Sequence, residues 1–313
     1  MKKPRANKIQ AQTSFLDQTS MLAVGTSTEL TSKKLSDYFV ANLDNPYLRD
    51  LPDLMEFPFF SLEKKKRLKP IIYERKNIKI SIHGLHDYGI ATIWDADFLI
   101  WVASQINMAR EKGKTPTREI LINPYTYLMQ TGKISSTYCS GKLYGDLKMA
   151  LTRLKGTLIL TNLVSGGSKK TETWSWIQDW KVIEDETTGK MKGILIILAE
   201  WIFDRVIKDL SLLSICPEYF KLTSGIDRWL YKIARKHCGN QDVFTIGVDT
   251  LYEKYPPGRE FRKYKFELKA TVKANRIPEY DLSWSEEGPK VIITPKEGAR
   301  ERRKLSRALR EIA

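Results

Sequence analysis

Three features of the sequence predict an α+β fold made of two successive copies of one element order. The order helix, short strand, helix, helix, strand pair can be read once from Asp95 to Leu198 and again from Thr223 to Thr294. Within it, apolar residues keep helical or alternating spacing, and turns carry Gly, Pro and Asn. The chain also holds 52 Lys+Arg against 37 Asp+Glu, a net charge of +15. The excess is largest in residues 211–313, with 21 basic and 14 acidic groups.

Residues 1 to about 45 are rich in Thr, Ser, Gln and Lys without a sustained period, which predicts a largely disordered segment. The expected flexible tail spans 1–53. Leu54 to Phe60 clusters Phe57, Phe59 and Phe60, and the basic run Lys64-Lys-Lys-Arg67 follows. That run fits a DNA-contacting arm and a solvated stretch equally well.

Ile78, Ile80 and Ile82 alternate as in a half-buried strand. Asp95 to Arg110 reads as a helix on Phe98, Leu99, Trp101, Val102 and Ile106, with Asp95 and Asp97 as the acids that stabilise its first turn. After the short strand Ile120 to Ile122, Asn123-Pro124 supplies a cap and a first-turn proline for a short helix. Ser135-Ser136-Thr137 can cap a longer helix to about Lys155. Thr157 to Val164 and Thr171 to Ile183 follow as strands around Ser165-Gly-Gly-Ser168, then Gly193 to Leu198 as a third. Three helices and a hairpin make the order of a winged helix-turn-helix domain.

The second copy runs through a helix Thr223 to His237, a strand Val243 to Ile246 and a short helix Val248 to Tyr255 halted by Pro256-Pro257. A long helix from about Arg259 to Arg276 precedes a hairpin, Tyr280 to Trp284 and Lys290 to Thr294. The expected organisation is therefore two tandem winged helix-turn-helix domains, 54–210 with an N-terminal arm and 211–295, then a basic tail 296–313 outside both.

On a helical wheel, Phe261, Tyr264, Leu268, Thr271 and Val272 fall in one arc of the second long helix. Arg259, Arg262, Lys263, Lys265, Lys269, Lys273 and Arg276 lie opposite, with Glu260 and Glu267 on one flank. Such a face suits the major groove, where basic side chains reach phosphates and the acceptors of guanine. Phe266 stands inside this arc; packing under the hairpin or a neighbouring domain explains it slightly better than contact with a thymine methyl. The corresponding helix of the first domain buries Leu143, Leu147, Ala150, Leu151 and Leu154. It turns Tyr138, Gly141, Lys142, Gly145, Met149 and Arg153 outward, and contact with phosphates or a partner chain is expected there more than with bases.

Catalytic patterns are weak. His83-Gly-Leu-His86 lacks further ligands at metal spacing, so no metal is expected. Gly166-Gly-Ser-Lys-Lys-Thr171 departs from the phosphate-loop pattern and reads as a hairpin turn. Cysteines 139, 216 and 238 make neither a zinc pattern nor a disulfide framework, which fits a reducing cytoplasm. Neither a membrane span nor a secretory signal is read. No cofactor or enzymatic activity is expected.

The stretch Leu222-Thr-Ser-Gly-Ile-Asp-Arg-Trp-Leu-Tyr-Lys-Ile-Ala-Arg-Lys-His-Cys-Gly-Asn-Gln241 resembles the replication initiator protein A family of bacterial plasmids. So do Met55-Glu-Phe-Pro-Phe-Phe-Ser61, His83-Gly-Leu-His-Asp-Tyr-Gly-Ile-Ala-Thr-Ile-Trp-Asp-Ala-Asp97 and Arg276-Ile-Pro-Glu-Tyr280. Together they span about residues 54–294. The resemblance implies tandem winged helices, binding to double-stranded plasmid origin repeats, opening of adjacent DNA and recruitment of the host helicase and other host replication proteins, without a catalytic centre. It leaves monomer and homodimer open as the DNA-binding form. A transcriptional repressor would use the same helices without replication partners, and is the alternative reading. Use of these faces for protein contacts alone is a third, which the segregated basic arc disfavours.

Overall fold

A computed structural model describes residues 38–134, 141–163, 171–184, 187, 191–208, 211–239 and 241–304. The chain divides into two compact units, Met1–Phe39 and Val40–Ala313. Within the second, a mixed α+β unit, the described residues include two modules that share one order of helices and paired strands, an inserted sheet and a pair of short linking strands.

The first module comprises α2 (Ala96–Glu111), β4 (Glu119–Ile122), α3 (Pro124–Gln130), α4 (Gly141–Gly156), β7 (Ile177–Glu184) and β8 (Met191–Leu198). The second repeats the order in α6 (Gly225–His237), β10 (Phe244–Gly247), α7 (Val248–Lys254), α8 (Phe261–Ala274), β11 (Tyr280–Trp284) and β12 (Lys290–Pro295). In each, the first strand pairs antiparallel with the last, which therefore lies in the middle: Ile122 opposes Ile194 and Gly247 opposes Lys290. Local signals account for several boundaries. Asn123 Oδ1 accepts the Tyr125 N–H at 2.9 Å with Pro124 next to it, which fixes the start of α3. Gly239, with φ at 49°, follows the end of α6.

The remaining strands are not what the sequence predicts. Thr171 to Ile183 was expected as one strand, but the chain breaks at the fully buried Trp176. On one side β6 (Glu172–Ser175) pairs with β5 (Leu158–Thr161), and these join β2 (Ile71–Arg75) and β3 (Ile78–His83) in a separate sheet of order β2-β3-β5-β6. On the other side β7 turns into the module's own hairpin. Trp176 stacks on Phe60 at 4.5 Å and meets Phe59 edge-on at 5.6 Å. Aromatic packing pins the crossing point, which strand propensity alone cannot reveal. The expected turn at Ser165–Ser168 lies outside the described residues.

Both expected tails are also shorter. β1 (Arg49–Asp50) pairs with β9 (Leu213–Ser214), and α1 (Pro52–Glu56) follows it with Leu54 and Met55 buried. Asp50 is needed there because the buried Lys232 ammonium, 2.8 Å away, would otherwise be unpaired. At the other end Ala299 is fully buried and Arg303 pairs with Glu279 at 3.0 Å, so Lys296 to Lys304 docks on the second module. α5 (Glu200–Lys208) and the 3-10 turn Pro217–Lys221 complete the path between modules. No helix among the described residues is long and apolar enough to cross a membrane.

Candidate nucleic-acid interface

α8 is built to show one face. Tyr264 and Leu268 are fully buried and Thr271 and Val272 nearly so. Tyr264 packs against Tyr252 at 5.0 Å and Tyr255 at 4.9 Å, which presses the helix onto α7 and its following turn. Asn275 ends the helix in the left-handed region, φ 46°, a conformation Asn tolerates better than most residues. Its side chain then donates to Asp281 at 2.8 Å and accepts the Leu282 N–H at 2.9 Å. One residue thus stops the helix and fastens its end to the hairpin β11–β12.

On the outer side Arg262, Lys263, Phe266, Lys269 and Lys273 are exposed, and Lys265 is half-buried at the margin. Lys263 lies 3.5 Å from Glu260 in a largely exposed pair. Arg262, Lys265, Lys269 and Lys273 have no acidic partner among the described residues. Between this face and the hairpin lies an open cleft of about 800 Å³, lined by Lys265, Lys269 and Lys273 on one side and by Leu282, Trp284 and Pro289 on the other. Trp284 was not expected there, because the sequence marks it only as the end of a strand.

Two members of the expected basic arc are employed elsewhere. Arg259 precedes the helix and pairs with Glu267 at 2.7 Å. Arg276 follows it and pairs at 3.0 Å with Asp227, a buried acid in the first turn of α6. The helix runs only from 261 to 274, so neither shares its face. Phe266 also corrects the expectation that it packs under the hairpin or a neighbour: it is 75% exposed. Phe261, expected in the core, is 36% exposed and meets Tyr252 edge-on at the helix start.

In the first module α4 buries Leu147, Leu151 and Leu154 and exposes Gly141, Lys142, Gly145 and Met149. A Cβ added at either glycine would meet nothing within 4 Å. Tyr138 lies outside the described residues. Arg153 does not point outward as expected. It grips the buried Asp95 through Nε and Nη2, both at 2.7 Å, and Asp95 also accepts the Thr92 N–H. The Asp95 hydrogen bonds hold Arg153 in the ionised form against its partial burial. Asp95 and Asp97 make no capping bond to α2; both serve as anchors for distant cations.

Of the expected pair, His83 meets Ser81 at 2.7 Å and His86 meets Asp87 at 3.2 Å. Among the described residues no three His, Cys, Asp or Glu gather as a metal site. Burial, then the Glu218 carboxylate, pushes the Cys216 thiol up to about 12, so it is a poor nucleophile at neutral pH.

A family model described as replication initiator protein A matches residues 49–282, a span that begins in β1. A protein of Wigglesworthia glossinidia brevipalpis named "Putative replication protein" is 36% identical over 259 residues, 81% of this chain and 91% of that protein. The fold is similar to crystal structures of domains 2 and 3 of RctB. One gives a TM-score of 0.50 at 10% identity over 80% of this chain and 99% of that one. Another, of a selenomethionine derivative, gives 0.53 at 13% over 75% and 94%. At such identity the likeness is one of fold alone.

Proposed function

The chain belongs to the replication initiator protein A family, and from that premise we propose that it initiates plasmid replication by binding duplex origin DNA sequence-specifically. The two modules are read as tandem winged helices, with α4 and α8 as the helices that meet DNA and β7–β8 and β11–β12 as the wings. The observation that carries the reading is the outer face of α8. Four cations there, Arg262, Lys265, Lys269 and Lys273, have no acidic partner among the described residues and line the helix and its cleft with the hairpin. Lining up like charges on one helix costs stability, and phosphate or base acceptors offset that cost.

α8 is the principal reader, while Lys142 and the open glycine face of α4 suit close approach to a backbone. The protein acts without a metal, cofactor or catalytic centre of its own. It works in the cytoplasm by assembling host replication proteins, the replicative helicase among them, on repeated sites in the origin. Footprinting on duplex DNA flanking its own gene, with random duplex as competitor, tests this. Protection of repeated sites at concentrations that leave random duplex unbound is expected. Equal affinity for both would sink the reading.

A further inference from the structure

The basic run Lys64-Lys-Lys-Arg67 is absorbed by neither module, yet it is clamped at both ends. Ser61 pairs with the Thr92 region: its N–H donates to Ala91 O at 3.0 Å and its carbonyl accepts the Ile93 N–H at 2.9 Å. The Leu62 carbonyl lies against Gly225 at the start of α6, where a Cβ would come within 2.1 Å of it. Five residues on, the Arg67 carbonyl accepts the Ile90 N–H at 3.0 Å, and its guanidinium donates to Pro257 O at 2.5 Å. A merely solvated basic loop needs no such fixation.

The bracket joins the two candidate DNA-facing helices. On one side the three lysines border a hollow of about 370 Å³ that Met149 and Arg153 of α4 also line, with Lys64 over the Trp94 ring at 5.4 Å. On the other, Arg67 reaches the Pro257-Gly258 turn that leads into α8. Lys64, Lys65 and Lys66 are exposed and have no acidic partner among the described residues. Glu63 acts on Arg67, Tyr255 and Arg259, and Asp87 stands at the rim of the hollow, so the track is not uniformly positive.

The geometry points to Lys64, Lys65 and Lys66 as a rigid phosphate track that holds the DNA backbone between the α4 and α8 contacts. This rests on the duplex-binding reading above. Lysine here acts as a point charge that positions DNA without reading its sequence.

The test uses the full chain and two duplexes of equal length: one bearing a site selected from a randomised library, the other random. Lys64→Gln/Lys65→Gln/Lys66→Gln is compared with the wild type, with Lys65→Gln/Lys66→Gln, which keeps Lys64 on Trp94, and with Lys112→Gln/Lys114→Gln. The last pair is exposed near the far end of α2, roughly 24 Å from Asp95 at 1.5 Å per residue. The triple variant is expected to fold as the wild type and to bind both duplexes about 30- to 100-fold more weakly at 0.15 M salt. Its salt slope should fall by about 2–3, at about 0.9 per phosphate lost. The double variant should lose about two-thirds of that slope and the α2 pair none. A wild-type slope in the folded triple variant overturns the track, as does a loss confined to the selected site. If the wild type itself fails to prefer the selected duplex, the duplex-binding reading falls before any variant is considered.

Discussion

Arg228 of α6 donates to Asp97 of α2 at 2.5 Å, and neither side chain is more than 2% exposed. The pair fixes one module on the other. Asp97 also accepts from Lys133 at 2.8 Å, while Arg228 donates to the carbonyls of Leu222 at 2.7 Å and Phe220 at 2.8 Å. Burial opposes the guanidinium charge, but Asp97 and Tyr219 outweigh it and hold Arg228 ionised. One turn on, Lys232 meets Asp50 in the same way. Two buried ion pairs thus tie α6 to earlier parts of the chain, one to α2 and one to β1.

Asp97→Asn is expected to cost about 3–5 kcal/mol in urea unfolding, because it leaves a buried cation uncompensated. Arg228→Met combined with Asp97→Leu should cost clearly less than the two single changes summed. A loss below about 1 kcal/mol for Asp97→Asn would show that the pair does not hold the modules.

The repeated element order was legible because helix period, caps and turn residues are local. Asn123-Pro124 and Gly239 end or begin elements wherever they occur. The buried ion pairs between elements were not legible: Asp95 and Asp97 have the look of ordinary first-turn acids, and nothing periodic links residue 95 to 153 or residue 97 to 228. Arg153, Arg259 and Arg276 went astray for the same reason, since a wheel assigns a direction but cannot supply a carboxylate from another element. Trp176 hid a change of sheet because strand-forming residues continue on both sides of it.

On the proposed duplex-binding reading, the division of labour on α8 follows from which cations are unengaged. Arg262→Ala or Lys269→Ala should cost about 1–3 kcal/mol on the specific site and relax its sequence preference. Lys265→Ala, at the cleft margin, should weaken specific and random duplex alike and lower the salt slope by about one. Arg276→Ala belongs to another class. It strips Asp227 of its guanidinium, and because Arg276 is 58% exposed the loss of stability should be on the order of 1 kcal/mol. Competition binding and thermal unfolding on the same variants separate the classes.

Leu268→Ala serves as the converse control. The side chain is fully buried beneath the basic face of α8, so about 2–5 kcal/mol of stability should be lost. Site preference should survive in whatever fraction stays folded. A change of preference in the folded fraction would mean that α8 shifts when its core is hollowed.

Phe266 offers the finest test of α8 as the proposed reading helix. It follows Arg262 by four residues and precedes Lys269 by three, so it lies on the same stripe, 75% exposed and uncovered by anything in the described residues. In a major groove the apolar feature available to such a ring is the C5-methyl of thymine. Replacing thymines of a selected site one at a time by deoxyuridine removes that methyl alone. For the wild type, one or two positions should each lose about fourfold in affinity, the worth of one buried methyl at about 0.8 kcal/mol. For Phe266→Ala the same replacements should have no effect, and unfolding should be unchanged because no packing is lost. A flat deoxyuridine profile for the wild type, with Phe266→Ala binding as tightly, would remove Phe266 from the DNA contact. The exposed ring would then belong to a protein surface, and Arg262 and Lys269 would have to read their bases without it.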